Sequence, residues 1–161
     1  AFLDYPAADS LAGEPGVVVA RSLTKVFGFP GLRIGFLVAT GGVRDRLDAG
    51  RLPWGVSTPA AAVGTHCLQQ SAFVEATRDR VVAERDRLRE RLSARWTVFP
   101  SDAPFLLVDV GEDDPDEVLA TARERGIVLR DARTFSTLDN HFRAAVRRPR
   151  ENDRLLDALD A

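Results

Sequence analysis

The stretch RSLTKVFGFPGLRIG, residues 21–35, decides how this sequence is interpreted. It contains Lys25, the only lysine of the chain, although lysine and arginine together number 22. Arginine stays charged in proteins, whereas a desolvated lysine can lose its proton and attack a carbonyl carbon. A chain that uses arginine for its other cations therefore favours a chemical role for Lys25. The alternative is a stray lysine on a glycine-rich turn.

The neighbours of Lys25 favour the chemical role. Ser22 offers a hydroxyl and Arg33 a guanidinium, at spacings that let both groups bind one anion while Lys25 reaches a carbonyl beside it. Guanidinium groups bind phosphate oxygens bidentately, and the glycines of the stretch allow the backbone to approach a ligand closely. The pattern therefore predicts a site for an aldehyde that carries a phosphate.

Composition limits the function classes. With 161 residues, of which 45% are hydrophobic and 29% charged, the chain can bury a core of ordinary domain size. A net charge of −2 argues against a nucleic-acid or membrane-surface partner. The single cysteine excludes an intrachain disulfide, and no membrane-spanning run or signal sequence is found, so we expect a cytoplasmic protein. The sequence does not open with methionine, which is compatible with a piece of a longer protein.

Hydrophobic patterns predict an α/β chain. The runs VVVA and LRIGFLVA flank Lys25 and are typical of strands buried on both faces. The apolar pattern of residues 43–96 predicts mainly helices. They are interrupted near Pro53 and Pro59, and the last of them is long. Further strands are predicted at WTVFP, FLLVDVG, IVLRD and HFRAAVR. Helices are predicted from DDPDE to a stop at Gly126, and at RENDRLLDALDA.

The stretch RSLTKVFGFPGLRIGF resembles the lysine region of the fold type I pyridoxal-phosphate enzymes, the aspartate aminotransferase superfamily. Their motif is Ser-x-x-Lys followed eight residues later by Arg, and every element of it is present. The resemblance implies that Lys25 forms a Schiff base with pyridoxal 5′-phosphate. It also implies that Ser22 and Arg33 hold the cofactor phosphate, and that the enzyme is a homodimer.

The resemblance covers the whole chain and implies that it is the C-terminal part of such an enzyme. Residues 1–70 would end the cofactor-binding large domain, residues 71–96 would form a bridging helix, and residues 97–161 a small α+β subdomain. The N-terminal half of the family fold, with the aspartate that pairs with the pyridine nitrogen, would precede Ala1. We therefore expect the chain by itself to be inactive.

Two groups within the superfamily are similar to this chain: L-threonine-O-3-phosphate decarboxylases, which serve cobalamin biosynthesis, and histidinol-phosphate aminotransferases. Phe2, in AFLDY, occupies the position at which the aminotransferases usually have a tyrosine that hydrogen-bonds the cofactor's phenolic oxygen. Phenylalanine there, RSLTK and the closing HFRAAVRRPRENDRLLDAL resemble the decarboxylases more. The resemblance thus favours the decarboxylase, with the aminotransferase as the alternative.

Substrate-binding residues are also implied by the resemblance. Arg143 matches the family arginine that binds the substrate carboxylate. Arg130 lies thirteen residues earlier, where the histidinol-phosphate relatives have an arginine at the distal end of a phosphorylated substrate. Two arginines facing one pocket would suit a substrate with an anion at each end. The alternative for Arg130 is an exposed strand residue paired with Asp131 or a neighbouring acid. In LPWGVST, Trp54 and Ser57 are further candidates to line the pocket.

One departure from the family pattern and two competing classes of function remain. Pro104 stands where relatives usually have an asparagine, which suggests a changed substrate.

His66, Cys67 and His141 lack the number and spacing of metal ligands. The arginine-rich helix at residues 76–95 is a non-enzymatic alternative, as an interaction or nucleic-acid surface, but its arginines alternate with acids as on a solvated, internally paired face.

Overall fold

The computed structural model describes Phe2, Asp4, Tyr5 and residues 9–160. Ala1 and Leu3 of the AFLDY motif lie outside the described residues, as does Ala161 at the end of the last predicted helix. The chain divides into two compact units, residues 1–77 and 78–161. The predicted domain boundaries after residues 70 and 96 stay predictions. Among the described residues, no helix combines the length and the apolar character needed to cross a bilayer.

The first unit is built on the two strands that flank Lys25. Strand β1 (Val19–Ser22) pairs antiparallel with β2 (Gly35–Val38), and Ser22 lies opposite Gly35. The predicted strands are thus confirmed, but their predicted burial on both faces is wrong, since 55% of Leu37 is exposed. In the described residues this sheet has only two strands, too few neighbours to bury both faces.

The stretch after β2 is mainly helical, as the sequence predicts, and the structure divides it into three helices. They are α1 (Gly41–Ala49), α2 (Thr58–Leu68) and α3 (Ser71–Leu92). The predicted interruption near Pro53 and Pro59 is the loop between α1 and α2. The division between the two units falls within α3.

Gly35 is required for the close approach of β1 and β2. A Cβ atom at this position would lie 2.6 Å from the backbone oxygen of Arg21, closer than real Cβ contacts. We expect Gly35→Ala to lower the free energy of unfolding by about 1–3 kcal/mol, because backbone must move to make room. Gly31→Ala, in the same turn, meets nothing within 4 Å and is the matched control. Denaturant unfolding of both variants would contradict the prediction if their midpoints were equal.

The second unit is a four-stranded antiparallel sheet with helices packed on it. The strand order is β3, β4, β6, β5, with bounds Thr97–Val98, Phe105–Asp109, His141–Ala145 and Arg130–Asp131. Helix α4 (Pro115–Glu124) contacts β6 and α5 (Pro149–Leu159). The predicted helix start at DDPDE is confirmed by the Asp114 carboxylate, which accepts from the Asp116 N–H at 2.8 Å. Gly126, with φ of 80°, ends the helix as predicted.

Alternate residues of β4 and β6 face opposite sides of this sheet. One side is the core, where Leu106, Val108, Phe142 and Ala144 are buried. The other side carries the half-buried residues of the same two strands, which are Phe105, Leu107, Asp109, His141 and Arg143. We call this second side the arginine face, and it includes Arg130, which lies directly opposite Arg143.

A buried polar cluster links α3 to α5 within the second unit. The Glu84 carboxylate accepts from Arg87 at 2.8 Å and from the Asn152 amide at 2.7 Å, and Asn152 is fully buried. The hydrogen bond from Arg87 holds the pKa of Glu84 below its ordinary value of 4.5, against the opposing effect of burial. Because the folded pKa is lowered, the cluster stabilises the protein above pH 4.5 and loses this contribution as the pH falls.

This cluster predicts a pH-dependent stability. We expect Glu84→Gln to lower the free energy of unfolding at neutral pH by about 1–3 kcal/mol, through loss of charge-assisted hydrogen bonds. Its deficit relative to the unsubstituted protein should shrink as the pH falls below 4.5, because Glu84 itself is then being protonated. Glu90→Gln, at an exposed position of the same helix, is the control. A deficit for Glu84→Gln that stays constant from neutral to acid pH would contradict the prediction.

Candidate cofactor and substrate sites

A tight turn presents Lys25. Leu23 and Val26 are buried and anchor the turn, whereas Lys25 between them is exposed. The Leu23 N–H donates to the Ile34 carbonyl at 3.3 Å, which extends the β1–β2 ladder. The Gly28 N–H donates to the Lys25 carbonyl at 3.3 Å, and Gly28 has a φ of 67° that favours glycine. The backbone of Lys25 is therefore fixed while its side chain stays accessible.

The Lys25 amine has no polar partner among the described residues. Its Nζ lies 5.6 Å from the ring centroid of Phe2, and it makes no hydrogen bond or ion pair within the described part of the chain. The structure thus brings Phe2 and Lys25 together, two residues that the sequence assigned to one cofactor. An amine without a carboxylate partner is available for reaction with a carbonyl group.

Ser22 and Arg33 lie at the same end of the β1–β2 ladder as Lys25. The Ser22 hydroxyl lies 2.8 Å from the Thr24 hydroxyl and accepts from the Thr24 N–H at 3.3 Å. Arg33 is exposed, has a left-handed φ of 48°, and donates to the Pro30 carbonyl at 3.3 Å. The side chains of Ser22, Lys25 and Arg33 do not contact one another in the described structure.

An ion pair that sequence reasoning missed ties the Phe2 segment to β1. Asp4 pairs with the guanidinium of Arg21, and both side chains are largely buried. Arg21 directly precedes Ser22, so the pair connects the segment that carries Phe2 with the strand that leads into the lysine turn. The two residues are 17 positions apart, and no local pattern signals their contact.

Within the described part of the chain, Trp54 and Ser57, the two pocket candidates from LPWGVST, do not contact the residues of the lysine turn that are assigned to the cofactor. Trp54 is 97% exposed. Ser57 is the N-cap of α2, where its hydroxyl accepts from the Ala60 N–H at 3.3 Å. Neither residue contacts Ser22, Lys25 or Arg33 in the described structure, and the pocket role expected for them stays a prediction.

The arginine face of the second unit brings its two candidate residues together. Arg130 of β5 lies directly opposite Arg143 of β6, and Leu107 of β4 lies opposite Arg143 on its other side. Directly opposite residues share a sheet face with their Cα atoms about 5 Å apart. The two guanidinium groups therefore start from neighbouring positions on one surface.

Neither arginine has a carboxylate partner among the described residues. The Arg143 guanidinium carbon lies 4.6 Å from the Phe105 ring centroid. Arg130 lies 5.6 Å from the Phe135 ring centroid and donates to the Thr134 hydroxyl at 3.2 Å. Like charges directly opposite each other in a sheet are destabilising. An anion bound between them would remove that repulsion.

The expected alternative for Arg130 is an exposed strand residue paired with Asp131 or a neighbouring acid. Arg130 is exposed in β5, but no ion pair joins it to Asp131 or to another acid among the described residues. Arg133 instead takes the Asp131 carboxylate, donating to it at 3.0 Å and 2.9 Å. These hydrogen bonds from Arg133 hold the pKa of Asp131 below its ordinary range. The carboxylate next to Arg130 in the sequence is therefore already engaged.

His141 lies on the arginine face two residues before Arg143. Its Nε2 is 3.9 Å from the Asp109 carboxylate, and its ring stacks on Phe99 at a centroid distance of 5.7 Å. The described residues contain no group of three side chains that could ligate a metal ion.

The chain matches the family model for aminotransferase class I and II over residues 2–159. The chain belongs to the aminotransferase class I and II family. This is a family of enzymes whose cofactor is pyridoxal 5′-phosphate. The predicted α/β fold, as a partial fold type I chain, is confirmed.

Members of the aminotransferase class I and II family with two different activities are similar to this chain. Histidinol-phosphate aminotransferase 2 of Archaeoglobus fulgidus is 37% identical, over 98% of this chain and 46% of its own length. Threonine-phosphate decarboxylase of Salmonella typhimurium is 33% identical, over 99% of this chain and 46% of its own length. The histidinol-phosphate aminotransferase structure from Clostridium acetobutylicum superposes with a TM-score of 0.88 and 25% identity, covering 99% of this chain and 51% of that one. This chain spans about half the length of the curated relatives it matches.

The residues of the lysine turn fit the family cofactor. The Lys25 amine, which has no polar partner in the part of the chain that the structure describes, suits an aldehyde. The hydroxyls of Ser22 and Thr24 and the exposed guanidinium of Arg33 suit a phosphate. Thr24 was not among the predicted residues. The alternation Ser-x-Thr-Lys, which places two hydroxyl residues just before the lysine, is the sequence signal that could have identified it.

Proposed function

We propose that the protein acts on a phosphorylated amino acid with pyridoxal 5′-phosphate, and that its reaction is the decarboxylation of L-threonine O-3-phosphate, which serves cobalamin biosynthesis. The observation that carries this proposal is the direct juxtaposition of Arg130 and Arg143, for which the described part of the chain supplies no carboxylate partner. The similarity to a histidinol-phosphate aminotransferase and to a threonine-phosphate decarboxylase supports the broader class of enzymes that act on phosphorylated amino compounds.

The substrate has two anionic groups a short distance apart. Its carboxylate is bonded to Cα, and its phosphate is bonded through oxygen to the neighbouring carbon. We assign the carboxylate to Arg143 and the phosphate to Arg130, following the family positions that these two residues match. A guanidinium group can bind each of these anions through two parallel hydrogen bonds. A substrate with two anions would offset the repulsion between the two arginines more fully than one with a single anion.

Each residue has a defined task in the proposed reaction. When bound, pyridoxal phosphate draws electrons from a Cα bond of the substrate. Ser22 and Arg33 hold the cofactor phosphate. Arg143 holds the substrate carboxylate until the bond between Cα and this group breaks and carbon dioxide leaves. Lys25 then delivers a proton from its Nζ to Cα, which gives 1-amino-2-propanol phosphate.

Histidinol-phosphate amino transfer is the second candidate. The 37% identity to the Archaeoglobus fulgidus aminotransferase is the observation that favours it. In that reaction Lys25 would move a proton away from Cα and no carbon dioxide would be released. The arginine pair would then bind the phosphate of one substrate and the carboxylates of a 2-oxo acid in turn.

The experiment that tests the proposal measures products of the protein at its full natural length with pyridoxal phosphate. L-threonine O-3-phosphate is supplied in one reaction, and histidinol phosphate with 2-oxoglutarate in another. Equal amounts of carbon dioxide and 1-amino-2-propanol phosphate would support the decarboxylase. Glutamate formation from histidinol phosphate without carbon dioxide release would overturn it in favour of the aminotransferase.

Further parts of the proposal concern the whole protein. We propose that it is a cytoplasmic homodimer, and that residues 1–161 alone do not turn over substrate. Sedimentation equilibrium of the protein at its full natural length would contradict the first part if it gave a monomer mass. The non-enzymatic alternative at the arginine-rich helix is weakened by ion pairs of its arginines, Arg87 with Glu84 and Asp153, and Arg89 with Asp86.

A further inference from the structure

We infer that Phe105 is a positioning residue that holds the guanidinium of Arg143 in the orientation needed to bind the substrate carboxylate. The guanidinium carbon of Arg143 lies 4.6 Å from the centroid of the Phe105 ring. This inference rests on the proposed function, because it assigns the carboxylate to Arg143.

The stacked arrangement leaves the right donors available. A guanidinium group is planar, and its N–H bonds point outward in that plane. An aromatic ring against one flat side attracts the cation without using any of those N–H bonds. Arg143 makes no hydrogen bond or ion pair within the described residues, and its charged end contacts the Phe105 ring. The edge of the guanidinium stays open to a carboxylate that needs two parallel hydrogen bonds.

The sheet register explains why Phe105 makes this contact. Leu107 lies directly opposite Arg143, while Phe105 lies opposite Ala145, two residues further along β6. Phe105 is thus a diagonal neighbour, at a distance that aromatic and long side chains can span. The charged end of Arg143 leans over this diagonal neighbour rather than extending straight out from the sheet.

The backbone around Phe105 is well anchored. Pro104, which precedes Phe105, has its φ angle fixed by its ring. The Pro104 carbonyl accepts from the Val146 N–H at 2.9 Å. The Phe105 carbonyl accepts from the Ser101 hydroxyl at 2.8 Å. Because its backbone is fixed, the Phe105 ring can restrict the conformations of the Arg143 guanidinium before substrate binds. The conformational entropy of this group is then not lost at the moment of binding.

Phe99 provides a matched comparison on the same face. Its N–H donates to the Leu107 carbonyl at 3.0 Å, and its ring stacks on His141 rather than on an arginine. Replacing either phenylalanine by leucine removes an aromatic ring and keeps an apolar side chain. Only the change at Phe105 removes the support of Arg143.

The test uses two ligands that differ in the carboxylate. They are L-threonine O-3-phosphate, measured through KM, and 1-amino-2-propanol phosphate, which lacks the carboxylate and is measured as a competitive inhibitor. With the protein at its full natural length, we expect Phe105→Leu to raise KM by roughly 3- to 30-fold. Its kcat and its inhibition constant for the amine should change much less. Phe105→Tyr, which keeps a ring, and Phe99→Leu should both resemble the unsubstituted protein.

A double substitution separates positioning from general packing. If Phe105 acts through Arg143, Phe105→Leu should have no further effect on KM in an Arg143→Gln background. Equal weakening of both ligands by Phe105→Leu, or an unchanged KM while the unsubstituted protein turns over L-threonine O-3-phosphate, would overturn the inference alone. If the unsubstituted protein does not turn over this compound, the proposed substrate is wrong and the inference falls with it.

Discussion

Replacing Lys25 by alanine is expected to abolish turnover in the protein at its full natural length. Lys25 is the only lysine in the chain, and its amine has no polar partner among the described residues. Loss of the group that moves the proton at Cα alone costs about 10²- to 10⁴-fold in rate, and loss of the covalent bond to the cofactor adds to this. Stability should change little, because the Lys25 side chain is exposed and the contact of its Nζ with the Phe2 ring, at 5.6 Å from the centroid, is worth at most about 1 kcal/mol at such a site.

Lys25→Arg is the informative control for this prediction. It keeps a positive charge at the same position, but an arginine does not give up its proton in a protein. We therefore expect Lys25→Arg to be as inactive as Lys25→Ala, with an unchanged melting temperature. Steady-state assays at saturating cofactor would check this, and a Lys25→Arg rate within tenfold of the unsubstituted rate would show that the amine is not required.

Replacing Arg143 by glutamine should raise KM for L-threonine O-3-phosphate by about 100-fold or more. Glutamine removes the charge and one of two parallel hydrogen bonds to the carboxylate, and charge-assisted bonds are each worth about 1.5–3 kcal/mol. Arg130→Gln should raise KM for the same reason at the phosphate. Binding of 1-amino-2-propanol phosphate should be weakened by Arg130→Gln and spared by Arg143→Gln.

The same two substitutions should change stability little in the absence of substrate. Removing one charge relieves a repulsion worth about 0.2–1 kcal/mol between Arg130 and Arg143, but it also removes a contact of the guanidinium with the Phe135 or Phe105 ring worth about 0.5–1 kcal/mol. A large loss in affinity with little change in the free energy of unfolding is typical of residues placed for binding rather than for folding. Arg123→Gln, at an exposed position of α4, should change neither quantity. Arginine variants with unchanged KM would contradict the substrate assignment.

Local sequence signals identified the elements whose physical causes are local. The helix at DDPDE begins where an aspartate can cap it and ends at Gly126, whose φ of 80° favours glycine. The turn that presents Lys25 could likewise be predicted from its glycines and the apolar runs on either side. The roles of Ser22, Lys25 and Arg33 came from the family motif and remain to be tested.

Features that depend on distant neighbours could not be predicted. The exposure of β1 and β2 depends on how many strands the sheet contains. The number of neighbouring strands cannot be predicted from the sequence of one strand. The spacing of thirteen residues between Arg130 and Arg143 likewise does not say that they lie opposite each other, because the register of β5 against β6 is set by the whole sheet. The contact of Arg143 with Phe105 follows from that register.

The most direct test of the central claim is to locate the cofactor covalently on the protein at its full natural length. Borohydride reduces a carbon–nitrogen double bond between a lysine and the cofactor aldehyde to a stable amine. Trypsin then cleaves after Arg21 and Arg33 but not after a modified lysine, so residues 22–33 should remain in one peptide. We expect mass spectrometry to find this peptide carrying the phosphopyridoxyl group on Lys25. Cleavage after an unmodified Lys25, with the group bound elsewhere or absent, would contradict the account.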